Sequence, residues 1–275
     1  MNFYLVILFI IEFSFIISIL LVWIRAGLAQ KKVLKALSSV PTEEVRGPLV
    51  SIIIPAFNEE RYLPKLITSI KHQTYRNIET IVVDNLSTDG TALVARKMGA
   101  VVISVPEKNL SLVRNKGAEK ARGETLFFVD ADSLMENSYV EKLVNALSGK
   151  IKISHGGVCC YDSQAHGAYW ILNRWFKPRL YISGRNGICL HRNDFWAVGG
   201  YSLDKNPMEG HREDLDIGLK FYHKFGYSAI KYLPNALIGS SARREKIFGY
   251  PLFDFPSAWG KKRSIRGVRE DDIVE

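Results

Sequence analysis

The sequence predicts an α/β protein: a doubly wound, mostly parallel sheet preceded by one membrane-crossing helix. Three observations carry this expectation. Residues 3–24, FYLVILFIIEFSFIISILLVWI, form an apolar run with a single charge, Glu12. From residue 49 onward, short β-branched runs alternate with amphipathic stretches of about a dozen residues, the pattern of strands joined by crossover helices. The residues that follow those runs are polar and acidic, at the strand ends where ligands bind in such sheets.

The apolar run comes first. As a helix it is about 33 Å long at about 1.5 Å per residue, enough to cross a hydrocarbon core of roughly 30 Å. A cleavable signal peptide is the rival, and Gly27-Leu28-Ala29 resembles a cleavage site. The start carries no Lys or Arg, however, and the run exceeds the usual apolar core of about 7–15 residues, so a retained anchor is expected. Arg25, Lys31, Lys32 and Lys35 lie on its C-terminal side. The positive-inside bias then puts the N-terminus outside and the rest of the chain in the cytoplasm.

The composition is that of a globular protein of 275 residues, 47% apolar and 24% charged, which excludes disordered, collagen-like and multi-span classes. Cys159, Cys160 and Cys189 are too few and wrongly spaced for a disulfide framework or a metal site, and the six histidines form no ligand pattern. A net charge of +9 favours anionic partners. Much of the excess sits in 261–269, KKRSIRGVR. No zinc-finger, basic-zipper or RNP-type motif accompanies it, so nucleic acid is not expected as a partner.

Residues 26–48 read as a linker ending in Gly47-Pro48. Residues 49–55, LVSIIIP, are too continuously apolar for a half-exposed strand and should be buried on both faces. A helix is expected over 61–73, tolerating Pro64 near its start. Strands are then expected over 80–83, 101–105 and 125–129, and helices near 91–98 and over 111–121.

After the first strand comes Pro55-Ala56-Phe57-Asn58-Glu59-Glu60, after the second Asp84-Asn85, and after the fourth Asp130-Ala131-Asp132. Neither G-x-G-x-x-G nor a P-loop follows the first strand. Carboxylates converging on one sheet edge suit a hydroxyl-rich ligand and a divalent cation. Asp130 and Asp132 are the sharpest feature, because two carboxylates at one strand end repel unless a cation or ligand takes one of them. Hard oxygen ligands of this kind favour Mg²⁺ or Mn²⁺ bridged to phosphate oxygens. Taken alone, Asp84 reads equally well as a turn or cap residue.

VSIIIPAFNEE, VVDNLSTDGT, LVRNKGAEKARGE and FFVDAD, followed by GICLHRNDFWAVGGY and EDLDIGLKFYHKFGY, resemble in order and spacing the family 2 glycosyltransferases of GT-A fold. The resemblance covers about residues 49–235. It implies a nucleotide-diphospho-sugar donor whose base and ribose are held by Pro55, Ala56, Asn58, Glu60, Asp84 and Asn85. It places Arg114 toward the nucleotide or its phosphates, Asp130 near the ribose or donor sugar, and Asp132, with Asp130, at a divalent metal. Asp214, in the pair Glu213-Asp214, matches the catalytic base, and transfer inverts the anomeric centre. Arg243 and Arg244 are further candidates to neutralise the diphosphate. The Q-x-x-R-W element of the processive members is not seen, which implies one sugar per event.

The implied organisation is an anchor (1–25), the linker (26–48), a catalytic domain (49–240, with a donor half to 132 and an acceptor half from 133) and a basic aromatic segment (241–275). Residues 168–182 and 248–269 set aromatic rings among cations, which suits an anionic membrane surface and a lipid-linked or membrane-proximal acceptor. Two other classes compete. A non-catalytic nucleotide-sugar-binding protein predicts loss of Asp132 or Asp214, and both are present. A nucleotidyltransferase predicts a basic, glycine-rich loop where FNEE stands.

Overall fold

The computed structural model describes the backbone of residues 3–176, 186–204 and 213–243, and their side chains except 3–11, 172–176, 213 and 214. Eight strands form one mixed sheet in the order β3-β2-β1-β4-β7-β6-β8-β5. The first half is parallel: β1 (Val50–Ala56) lies between β2 (Ile78–Asp84) and β4 (Thr125–Phe128), with β3 (Val101–Ser104) outside β2. Each of these strands falls within a few residues of its expected position. The second half mixes directions: β7 (Ile188–His191) runs antiparallel to β4 and to β6 (Ile153–Cys160). The long β8 (Ile230–Ser240) pairs parallel with β6 and antiparallel with the short β5 (Ser133–Met135).

Both faces of the sheet are covered, which is why β1 is buried at all seven positions. On one face α2 (Leu63–Lys71) inserts Leu63, Leu66, Ile67 and Ile70, and α5 (Tyr139–Ala146) inserts Tyr139, Val140 and Leu143. Pro64 is tolerated because it falls in the first turn of α2, where its missing N–H has no intrahelical partner. The short α3 (Thr91–Lys97) adds Ala95 to this layer. On the other face lie α4 (Leu110–Lys120), α7 (Arg192–Ala197) and α8 (Glu213–Phe225), contributing Val113, Phe195, Ile217 and Phe221. Asn109 caps α4 by accepting a bond from the Leu112 N–H at 3.0 Å.

The apolar N-terminal run lies in α1 (Phe3–Lys35), which continues as helix past residue 25 into the stretch expected to be a linker. Its C-terminal turns belong to the globular core. Val33 and Ala36 are fully buried, Val33 in a cluster with Leu134, Cys159 and Tyr161. Lys32 pairs with buried Glu136 at 2.5 Å, and Lys142 holds the other oxygen of that carboxylate at 2.6 Å. Gln30 Nε2 donates to the Tyr161 carbonyl at 2.9 Å. By length and composition α1 is able to cross a membrane, and its N-terminal part is open: Phe15, Ile16, Leu20 and Leu21 are all more than half exposed. The three cysteines are buried and free, and burial pushes the thiols of Cys159 and Cys160 up to about 12.

Candidate active site

The register of the parallel strands brings the acidic segments together. Ala56 lies opposite Asp84, and Asp84 opposite Ser104, so the carboxyl ends of β1, β2 and β3 are flush. Ile53 lies opposite Phe128, and the Val129 N–H donates to the Ile53 carbonyl at 3.1 Å, which carries the chain after β4 to the same edge.

The loop after β1 is clipped to the loop after β2. Asn58, at a positive φ of 53°, accepts from the Thr88 N–H at 2.9 Å through Oδ1 and donates its own N–H to Ser87 Oγ at 3.0 Å. Glu60 Oε2 accepts from the Gly90 N–H at 2.9 Å, and the Glu59 N–H donates to Thr91 Oγ1 at 2.7 Å. Asn85 donates its N–H to the Ala56 carbonyl, while its side-chain amide donates to the carbonyls of Val105 and Glu107, each at 2.8 Å. Asn58, Glu60 and Asn85, expected at the nucleotide, are the fasteners that clip these loops into one cradle. Pro55 and Ala56 supply the last buried turn of β1 beneath it. Asp84 is buried, and its Oδ1 has no hydrogen-bond partner among the described residues. An orphaned buried carboxylate oxygen is costly unless a ligand completes it.

Asp130 and Asp132 stand just beyond β4, where the chain turns, and each carboxylate is held by a different arginine. Arg114, buried on α4, donates to Asp130 Oδ1 at 2.9 Å, with its guanidinium 5.4 Å from the centroid of the Tyr201 ring. Asp130 remains open on its other side, its side chain 40% exposed. Its backbone N–H donates to the Asn186 side-chain oxygen at 3.1 Å, which fixes the turn. Asp132 is nearly buried and faces Arg243, whose Nε is 3.3 Å from Oδ2.

Arg243 follows β8 and closes the site from the far end of the chain. It bonds Glu59 as well as Asp132, and it stacks over Tyr62 with 4.4 Å to the ring centroid. Burial opposes its charge, but the hydrogen bond and field of Glu59, aided by Asp132, outweigh burial and raise its pKa. It is therefore a fixed cation on the proposed metal-binding carboxylate. Arg244 lies outside the described residues.

Glu213 and Asp214 open α8, with their side chains outside the described residues. The helix is tied to the Gly199-Gly200-Tyr201 turn, because Lys220 Nζ donates to the Gly200 carbonyl at 2.7 Å. Gly199 and Gly200 adopt φ of 80° and 62°, conformations that favour glycine. Asn115 clasps the same turn, accepting from the Tyr201 N–H at 3.0 Å and donating to its carbonyl at 2.9 Å. The turn therefore seats the Tyr201 ring beneath Arg114. Asn115→Ala leaves both backbone groups of a buried residue without these partners, so a loss of roughly 1–3 kcal/mol is expected. Thermal unfolding in detergent reads this as a lower midpoint, and an unchanged midpoint shows the clasp to be dispensable.

Sequence reasoning did not single out Glu59, Tyr62, Asn115, Asn186 or Tyr201 as individual site residues. Glu59, Asn115 and Tyr201 stand inside quoted motifs, next to residues that were named. Asn186 lies beside the GICLH segment, and nothing in its local sequence distinguishes it.

A mixed sheet with acidic strand ends at one edge is the architecture of a GT-A domain. Residues 51–197 match the family model described as Glycosyl transferase family 2, and the chain belongs to that family. It is 36% identical over 99 residues to the glycosyltransferase GlyA of Streptococcus pneumoniae, covering 34% of this chain and 14% of GlyA. The chain spans half or less of the length of the first curated relatives it matches. In fold it is similar to the mannosyltransferase PcManGT of Pyrobaculum calidifontis, solved in complex with GDP-Man and Mn²⁺. That likeness has a TM-score of 0.54 and 19% identity, and covers 82% of this chain and 67% of that one. Glucosyl-3-phosphoglycerate synthase of Mycobacterium tuberculosis, solved with Mn²⁺, UDP and glucosyl-3-phosphoglycerate, gives a TM-score of 0.52 at 19% identity, over 80% and 78% of the two chains.

Proposed function

We propose that this chain is a metal-dependent, inverting glycosyltransferase that moves one sugar from a nucleotide-diphospho-sugar to an acceptor at a membrane surface. The single observation that supports it best is the strand-end cluster of Asp84, Asp130 and Asp132 with the buried Arg114 and the half-buried Arg243. Such a cluster offers hydrogen-bond acceptors to a nucleoside and cations to a diphosphate.

The donor set fits Mn²⁺ or Mg²⁺. Among the described residues no group of three or more His, Cys, Asp or Glu side chains is arranged to cage an ion. Mg²⁺-like ions are commonly held by one or two carboxylates together with substrate phosphates, and Asp132 with Asp130 supplies that number. When bound there, the cation neutralises charge on the leaving diphosphate.

The chain's own groups do the rest. Asp84 offers its unpartnered oxygen to the nucleoside. Arg114 holds Asp130 and lends positive charge beside the phosphates, where preorganised cations stabilise developing negative charge. Arg243, always charged, is available to the diphosphate once Asp132 has another cation to bind. Asp214 takes the proton of an acceptor hydroxyl. The membrane reading draws on α1, which is anchored in the domain by Lys32 and Val33 and so holds the site close to the bilayer. In this reading the span is single-pass with the catalytic domain cytoplasmic, and the acceptor is a polyprenyl phosphate, a lipid-linked saccharide or another membrane-bound glycan.

The test is to incubate the purified full chain with a panel of nucleotide-diphospho-sugars, Mn²⁺ and lipid extracts, and to measure release of nucleoside diphosphate. Metal-dependent release with one donor is expected. No release and no binding across the panel would overturn the reading.

A further inference from the structure

Helix α6 (Gln164–Phe176) packs along α1 in the opposite direction. Gln164 Nε2 donates to the Trp23 carbonyl at 2.9 Å, and a Cβ on Gly27 would stand 2.7 Å from that same nitrogen. Further along α6, Gly167 faces Ala26, where an added Cβ would meet the Ala26 Cβ at 3.4 Å. Ala168 is buried with Val22 and Ala26, and Ile171 packs against them. Moving forward along α6 therefore means moving backward along α1, toward its apolar N-terminal part. Small residues on both helices, Gly27 and Ala26 against Gly167 and Ala168, let the two backbones approach closely.

Residues 172–176 continue α6 for one to two turns past Ala168. At about 1.5 Å per residue they end about 6–12 Å nearer the N-terminus of α1, level with its residues of about 16–20. That is the part of α1 where Ile16, Ile19 and Leu20 are exposed. The residues on α6 at this depth read Leu-Asn-Arg-Trp-Phe, preceded by the partly exposed Tyr169, Trp170 and Ile171. An amphipathic, aromatic-rich helix seats its apolar face roughly 5–10 Å into the boundary between headgroups and acyl chains, and Trp and Tyr favour that level.

We infer that α6 is a second membrane-seated element: the last turns of α6 enter the headgroup–acyl boundary beside α1, and the two helices together fix the orientation of the catalytic domain on the bilayer. The occupant of the exposed side of α6 is phospholipid. The argument is continuity, because α6 packs its other face on α1, a helix long enough to cross the membrane, and runs beside the apolar length of that helix. The inference rests on the membrane reading of α1.

The experiment uses the full chain in phospholipid vesicles, with nitroxide labels placed one at a time at Ile16 and at each of Leu172, Asn173, Arg174 and Trp175. Four consecutive positions sample every face of the helix, so one poorly folding variant does not decide the outcome. The native cysteines are buried with raised pKa values and stay unlabelled. The readout is relative accessibility to oxygen, which concentrates in lipid, and to a water-soluble nickel chelate. Ile16 and at least one position from 172 to 175 are expected to show oxygen-to-nickel ratios several-fold above a label at exposed Glu119. If Ile16 reads lipid while all four α6 positions read water, or are shielded from both reagents, the inference is overturned and the anchor stands. If Ile16 itself reads water, the membrane reading fails and the inference with it. Donor hydrolysis measured on the same samples reports separately on the glycosyltransferase reading.

Discussion

Asp132→Ala is expected to abolish sugar transfer, by roughly 10²–10³-fold or more, while the protein stays folded. The size of the effect follows from charge. Leaving-group departure places negative charge on the diphosphate, and Asp132 is the nearly buried carboxylate that holds a divalent cation against it in the proposed mechanism. The fold should survive because Arg243 keeps its bond to Glu59 and its stack on Tyr62, and because Asp132 contributes to the architecture through its backbone, whose carbonyl accepts from the Ser241 N–H at 3.2 Å. Asp132→Asn is the conservative companion, keeping the shape and losing the charge. Titration of Mn²⁺ followed by its EPR signal, with and without nucleoside diphosphate, should show nucleotide-dependent metal binding in the parent and not in either variant. Full turnover of the parent in EDTA, or near-normal turnover of Asp132→Ala, would falsify the metal role.

The parallel half of the sheet was legible because each strand there announces itself and the polar loop at its carboxyl end in one stretch. Residues 49–55 are apolar throughout, the strand they predict is buried on both faces, and the polar loop that follows is where the cradle lies. Parallel crossover connections keep such information local: strand, loop and helix follow one another in sequence. The second half carries no such signal. β7 sits between β4 and β6, and β8 reaches the sheet between β6 and β5, so their neighbours are distant in sequence and no periodicity encodes the pairing. Arg243 shows the consequence. Its partners Glu59 and Asp132 are fixed by β1 and β4, and only the delivery of β8 to the sheet brings the guanidinium to them. The sequence marked Arg243 as a candidate for a diphosphate, but its resting place on the Asp132 carboxylate was not readable there. The same holds for α1. Apolar composition marked its N-terminal part, while its final turns are ordinary in sequence and are ordered by tertiary contacts such as Lys32 to buried Glu136.

Asp214→Asn is expected to lower turnover by roughly 10²-fold or more with donor affinity retained. The substitution keeps size and one acceptor oxygen, and removes the negative charge and with it the ability to accept a proton. An acceptor hydroxyl is a poor nucleophile at neutral pH, so a carboxylate within hydrogen-bond reach of its proton lowers the barrier in the transition state and not in the ground state. A loss confined to turnover is therefore the signature of the base, and a loss of donor binding is not. Asp214 stands in the first turn of α8, whose Ile217 and Phe221 are locked in the core and whose Lys220 grips the Gly200 carbonyl. The turn that presents Asp214 is thus rigidly tied to the turn that carries Tyr201 and, through it, Arg114. Glu213→Gln serves as the neighbouring control and should cost far less. The acceptor decides the outcome. A polyprenyl phosphate is already ionised at neutral pH and has little need of a base, whereas a saccharide hydroxyl depends on one. A deep turnover defect in Asp214→Asn with an unchanged donor Kd identifies a hydroxyl acceptor. A mild defect, below about tenfold, rejects the base role and points to a phosphate acceptor, because the remaining barrier then lies in leaving-group departure at Asp132 and the arginines.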